Sequence, residues 1–108
     1  MELWERLAQA TGFDWDAGNI DKNWESHRVA FWEAEEVFFN QPLVVAADLQ
    51  RSQREERFVA LGKTDAKRRL FVAFTFREDL IRIVSARDMG RQERREYEHH
   101  EPAQEEGS

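Results

Sequence analysis

Leu70-Phe71-Val72-Ala73-Phe74-Thr75-Phe76-Arg77-Glu78-Asp79-Leu80-Ile81-Arg82-Ile83-Val84-Ser85-Ala86-Arg87 is the stretch from which the fold is read. Two runs rich in Val, Ile and Phe, residues 70–76 and 80–86, flank a short charged turn, the pattern of an antiparallel hairpin. If Arg77 faces Leu80 across a two-residue loop, Val72, Phe74 and Phe76 share a face with Ile81, Ile83 and Ser85. Ala73 and Thr75 then share the other face with Arg82 and Val84. The first face is the expected core. The 70–76 run is apolar almost throughout, which predicts a central strand covered on both faces.

Moving toward the N-terminus, Leu43–Ala47 and Arg57–Leu61 read as two more short strands, with Gly62 and the charged residues 63–69 forming a loop. Short connections make these strands antiparallel. Before Pro42 the period is helical. Leu3, Trp4, Leu7 and Ala8 predict a helix over 2–11 that stops at Gly12, and Phe13-Asp14-Trp15-Asp16 alternates like a short strand. Asp16 or Asn19 then caps a helix over about 19–27. Phe31, Ala34, Val37 and Phe38 form a stripe predicting a helix over about 30–40, ended by Gln41-Pro42. On the other side of the hairpin, residues from Met89 to about His100 return to helix, with Asp88 or Gly90 at its start. The predicted class is α+β: a mainly antiparallel sheet with helices on one face and a C-terminal helix. Residues 1–98 form the single expected domain, with 1–12 as a helical extension and 99–108 as an acidic, disordered tail.

Charge is unevenly distributed in this 108-residue chain of net charge −6. Residues 1–50 hold 3 basic and 10 acidic side chains, residues 51–95 hold 13 and 7, and residues 96–108 hold none and 5. A basic block lies between two acidic ones. No run approaches the roughly 18–20 apolar residues of a membrane span, and no signal-peptide pattern occurs, so a soluble, cytoplasmic protein is expected. Zero cysteines exclude a disulfide framework, a thiolate zinc site and a cysteine nucleophile. No His or carboxylate spacing matches a zinc or calcium site, and no metal or cofactor is expected.

The hairpin register sets Arg82 beside Thr75. An even register for the preceding strand adds Arg57 and leaves Phe58 in the core, while Arg77 extends from the hairpin end and Arg87 from the end of the last strand. In an arbitrary protein such arginines pair with Glu or keep a sheet face soluble. Their more specific use is bidentate recognition of phosphate. His27 is the only histidine in the expected domain; a helix-end His most often caps or packs, and it can also shuttle a proton near neutral pH. On the last helix Glu93 and Tyr97 are four apart, as are Arg94 and Glu98. Tyr97, the only tyrosine, anchors the helix to the sheet or contacts a phosphate. Trp24 and Trp32, on acidic helices, are more often core residues than docking residues for a basic partner segment.

The order of these motifs is similar to that of the BrnT toxin family. Phe13-Asp14-Trp15-Asp16, Asn23 and His27, then Val29-Ala30-Phe31-Trp32-Glu33-Ala34 and Val37-Phe38 with Pro42 resemble its first half. Glu55-Glu56-Arg57, Leu61-Gly62, Thr75-Phe76-Arg77, Arg82-Ile83-Val84-Ser85-Ala86-Arg87 and Glu93-Arg94-Arg95-Glu96-Tyr97-Glu98 resemble its second. The resemblance covers about residues 13–98. It implies a RelE/ParE-like fold and an endoribonuclease toxin of a type II toxin–antitoxin pair, restrained by a BrnA ribbon-helix-helix antitoxin that represses the operon with it. The expected chemistry is metal-independent RNA cleavage by 2′-OH attack on the adjacent phosphate, without a cofactor. Arg57, Arg77, Arg82 and Arg87 would stabilise phosphorane charge, and His27 and Tyr97 would move protons or touch phosphate. The chain departs from the family at Asn19 and Ser26, where members commonly carry Lys, and at Arg28, where they carry Gly. The departures at 19 and 26 imply a second reading: a catalytically weakened toxin fold acting as antitoxin partner and co-repressor.

Overall fold

A computed structural model describes residues 2–51 and 54–102. Five strands, β1 (Gly12–Asp14), β2 (Val44–Ala47), β3 (Phe58–Lys63), β4 (Arg69–Arg77) and β5 (Leu80–Asp88), form one sheet in the order β1-β5-β4-β3-β2. Only β1 runs parallel to its neighbour, pairing with residues 80–82 of β5. The helices are α1 (Leu3–Gln9), α2 (Ala17–His27), α3 (Phe31–Glu36) and α4 (Arg91–Glu98). The α+β class and mainly antiparallel sheet agree with the sequence reading.

Alternation along the strands builds two unequal cores. Phe58, Ala60, Leu70, Val72, Phe74, Ile81, Ile83 and Ala86 face Val29, Ala34 and Val37, and Leu3, Leu7 and Ala10 of the α1 segment pack against the same cluster. The other face is covered at one end only, where Tyr97 and Met89 lie on Leu61, Phe71 and Val44. β4 is central, as its composition predicts, but the predicted cover on both faces is not found: on the second face only Phe71 lies under α4, and Ala73 stays part-exposed. At Gly62 an added Cβ would lie 2.9 Å from Val37 Cγ1, so the close approach of the helical layer to β3 requires glycine there.

Local chemistry sets the helix ends. The Asp16 carboxylate accepts the Gly18 N–H at 2.9 Å and caps α2. Arg28 closes α2 in the left-handed region (φ 54, ψ 37), the conformation that favours the glycine implied by the family resemblance. The helix expected over 30–40 is α3 followed by a 3-10 turn, Val37–Phe39. Arg68, which sequence reasoning passed over, ties this region together. Its guanidinium donates to Asp88 at 2.7 and 3.0 Å, to both Glu33 oxygens at 3.2 Å, and to the carbonyls of Arg28 and His27. The Asp88 hydrogen bond raises the Arg68 pKa and lowers that of Asp88.

Two further expectations change. Trp24 and Trp32 are half-exposed rather than core residues, because the small residues Asn23 and Ala34 take the inward positions of their helices. Glu101, assigned to the tail, is held by Lys63 at 3.6 Å and by Arg69, so the fold continues past residue 98. Residues 103–108 of that expected tail lie outside the described residues.

Candidate active site

The second face of the sheet carries the site, and an irregularity in β5 aims it. Arg77 pairs with Leu80, Thr75 with Arg82 and Phe74 with Ile83, as the hairpin register predicts. The register then shifts: Ala73 pairs with Ser85, Val72 with Ala86 and Phe71 with Arg87. Val84 is the extra residue of a bulge. Ser85, expected on the core face, is moved to the second face, and Ala86 takes its place in the core. The same shift puts Arg87 on the face of Arg82; with a spacing of five, regular alternation would have sent one of them inward. Past the short β1 pairing, Asn23 supplies the edge with a partner: its Oδ1 accepts the Ala86 N–H at 3.2 Å.

Beside the bulge is a cavity of about 350 Å³. Ala73, Val84 and Ser85 line it with Arg87, Arg57, Arg51 and Asp48. Two predicted arginines, Arg57 and Arg87, are thus brought together. Arg57 precedes β3, where the buried Thr75 hydroxyl donates to the Glu56 carbonyl and fixes the chain; its Nε lies 3.4 Å from Glu55. Arg87 donates to the two Glu93 oxygens at 2.7 and 2.8 Å and to the Asp88 carbonyl at 3.2 Å, and its guanidinium lies 4.2 Å from the centre of the Phe71 ring. Three of five N–H donors are engaged and two remain for a ligand. Glu93 also accepts the Gly90 N–H at 2.8 Å, so one carboxylate caps α4 and orients Arg87. Hydrogen bonding from Arg87 holds Glu93 below the usual carboxylate range and, reciprocally, raises Arg87.

The remaining predicted residues do not line this cavity. Arg82 shares the face but turns to Asp14, with Asp16 at 3.8 Å. Arg77 is exposed at the hairpin end, without an ion pair among the described residues. His27 ends α2 beside the Arg68–Asp88 pair. Tyr97 is fully buried and its hydroxyl donates to the Pro42 carbonyl at 2.7 Å, the anchoring role. Burial, then the charge of Glu101, push its pKa up to about 12. Because the raised value favours the neutral form in the folded state, stability from this group is complete below pH 10 and is lost as pH rises toward 12. Absorbance at 295 nm, with one tyrosine to report, should show ionisation near 12 in the native protein and near 10 in urea; a native midpoint near 10 would contradict the burial.

Asp48 and Arg51 were missed by sequence reasoning. They belong to the polar connection after β2, whose sequence carries no periodicity to show that it folds back over the sheet. Among the described residues no group of three or more His, Asp or Glu side chains is placed to hold a metal ion, and no helix is long and apolar enough to cross a membrane.

Residues 15–93 match the family model of the ribonuclease toxin BrnT of type II toxin–antitoxin systems. The chain belongs to the BrnT family. The matched region begins after α1, includes every strand from β2 to β5, and contains Arg57, Arg87 and Glu93. The fold is similar to that of the Brucella abortus ribonuclease toxin BrnT, known from a 1.1 Å crystal structure, with a TM-score of 0.54 and 16% identity over 74% of this chain and 97% of that one. No curated relative matches the sequence. The BrnT assignment makes the chain a ribonuclease toxin by family, with a RelE-like α+β fold and a protein antitoxin as its implied partner.

Proposed function

We propose that this BrnT-family chain is a metal-independent endoribonuclease whose active site is the cavity between Arg57 and Arg87. The observation that carries the reading is the bulge-directed Arg87, with two N–H donors uncommitted, lining one cavity with Arg57, Ala73, Val84 and Ser85. In RNA the nucleophile is the substrate's own 2′-OH, so the protein must orient the strand, take and return a proton, and stabilise phosphorane charge. Arg57 and Arg87 supply the charge. Asp48 is the carboxylate lining the cavity and takes the 2′-OH proton; as the 2′-O–P bond forms the P–5′-O bond breaks, and the leaving 5′-oxygen takes a proton from solvent. Arg77 extends the cationic face to the hairpin end, Arg82 reaches a phosphate only by exchanging Asp14 for it, and Tyr97 acts through its hold on α4, which carries Glu93. His27 holds its proposed role only by the family pattern. A basic ribbon-helix-helix antitoxin of the BrnA kind neutralises the enzyme, and the pair represses its operon.

A second reading is supported by the ion pairing of Arg82 and Arg87 together with Asn19 and Ser26 in place of family lysines. In it the chain is a weakened toxin fold serving as antitoxin partner and co-repressor. Expression of the chain alone in a bacterial host separates the two. The first reading predicts growth arrest that an Arg57→Ala/Arg87→Ala protein, made to the same level, does not cause; harmless expression of the parent supports the second.

A further inference from the structure

A cleft of about 1040 Å³ lies on the far side of α4 from the cavity, against the Thr64–Arg68 turn. Lys63, Lys67, Arg69 and Arg94 line it with Asp88, Glu98 and Glu101. The carboxylates are already used. Asp88 is bound by Arg68, Glu98 lies 3.6 Å from Arg69, and Glu101 joins Arg69 and Lys63. Lys67 and Arg94 are left on the cleft wall with no carboxylate partner among the described residues. Four cations and three carboxylates line the cleft, a net charge of +1, and the two cations without a carboxylate partner fit a single anionic group rather than a cationic one.

The surroundings extend the same charge. On α4 the inward positions are Glu93 and Tyr97, and Arg94, Arg91 and Arg95 fall within an arc of about 100° on the outer surface. Phe71 and Arg69 alternate on one face of β4, and α4 lies across Phe71. Arg87 is fixed at the N-terminal end of this helix through Glu93, and Arg69 sits 5.9 Å from the Tyr97 ring centre on its other side. The cavity and the cleft therefore flank one helix of about 10–12 Å diameter, a span that a few nucleotides of single strand cross.

Lys67 adds an independent point. It adopts φ 69, where glycine is unstrained, in a turn closed by its N–H to the Thr64 carbonyl at 2.8 Å and by the Arg68 N–H to Thr64 Oγ1 at 3.1 Å. The fold gains nothing from lysine at this position. We propose that the cleft is a second phosphate site, in which Lys67 and Arg94 hold a backbone phosphate of the same RNA strand that enters the Arg57–Arg87 cavity. The proposal rests on the ribonuclease reading of that cavity. Its ligand class is the phosphodiester of single-stranded RNA, read through charge and not through bases.

The test is the salt dependence of binding to a fluorescein-labelled, 12-nucleotide 2′-O-methyl RNA, which lacks the nucleophile and so is not cut. Lys67→Gly relieves the turn, and Arg94→Gln keeps a helix-forming residue, so loss of fold does not confuse the result. For the double variant the affinity should fall about tenfold at low salt, and the slope of log K against log salt should be shallower by about 1.4, two contacts at about 0.7 each. Cleavage of an unmodified trinucleotide, too short to span α4, should be unchanged. Equal slopes and affinities for parent and variant overturn the second site. A parent that binds the 12-mer through Lys67 and Arg94 yet cuts no RNA leaves this site standing and removes the catalytic reading of the cavity.

Discussion

Replacing Arg87 by alanine should lower the rate of RNA cleavage about 10²- to 10³-fold, the usual loss when one preorganised donor to a developing charge is removed. The effect should appear in kcat more than in KM, because phosphorane charge exceeds that of the ground-state diester. Arg87→Lys should recover little. An ammonium cannot keep both Glu93 oxygens and the Phe71 ring while presenting two further N–H groups to a phosphate. The variant stays folded, since Glu93 is part-exposed and still accepts the Gly90 N–H. The pair also sets a pH limit. Glu93 has a lowered pKa in the folded state, so its contribution is present above the ordinary carboxylate range and is lost as pH falls through the depressed value. Activity should therefore not fall through this pair between about pH 5 and 7.

The largest expected loss of stability comes from Phe74→Ala. Phe74 is fully buried at the centre of an aromatic group, with ring centres 5.2 Å from Phe38, 5.6 Å from Phe58 and 5.7 Å from Phe76. Removing it costs the transfer energy of the ring and leaves a cavity that strands on both sides prevent from closing, together about 3–5 kcal/mol. A domain of this size has about 5–15 kcal/mol in total, so the urea midpoint should fall steeply with the m-value unchanged. A loss below about 1 kcal/mol, measured by tryptophan fluorescence, would show that Phe74 is not the core centre described.

The contrast between Phe74 and Arg87 shows how far the chain could be read. The hairpin, its Arg77–Leu80 register and the core placement of Phe74 and Phe58 follow from alternation and turn length, which are local properties. Val84 gives no local sign that it will bulge. It is as good a strand residue as its neighbours, and the shift is decided by Ala86 fitting the core and by Asn23, 63 positions away, accepting its N–H. That shift decides where Arg87 points. For Tyr97 the sequence left an anchor and a phosphate contact open, and its burial and its hydrogen bond to the Pro42 carbonyl favour the anchor. Arg68 was not legible as a hub, because its partners Glu33 and Asp88 come together only in the finished fold. Trp24 and Trp32 reverse an expectation based on residue type: pattern marks an apolar side chain as inward, and here smaller neighbours fill the available depth.

Cleavage in the Arg57–Arg87 cavity by the substrate's own 2′-OH leaves a chemical signature on the products. The most direct measurement is incubation of the purified chain with a labelled single-stranded RNA in excess EDTA, followed by identification of the new ends. The expected products are 2′,3′-cyclic phosphate and 5′-hydroxyl ends, formed by the parent and not by Arg57→Ala/Arg87→Ala. Absence of cleavage, ends of another kind, or equal cleavage by the double variant would contradict it.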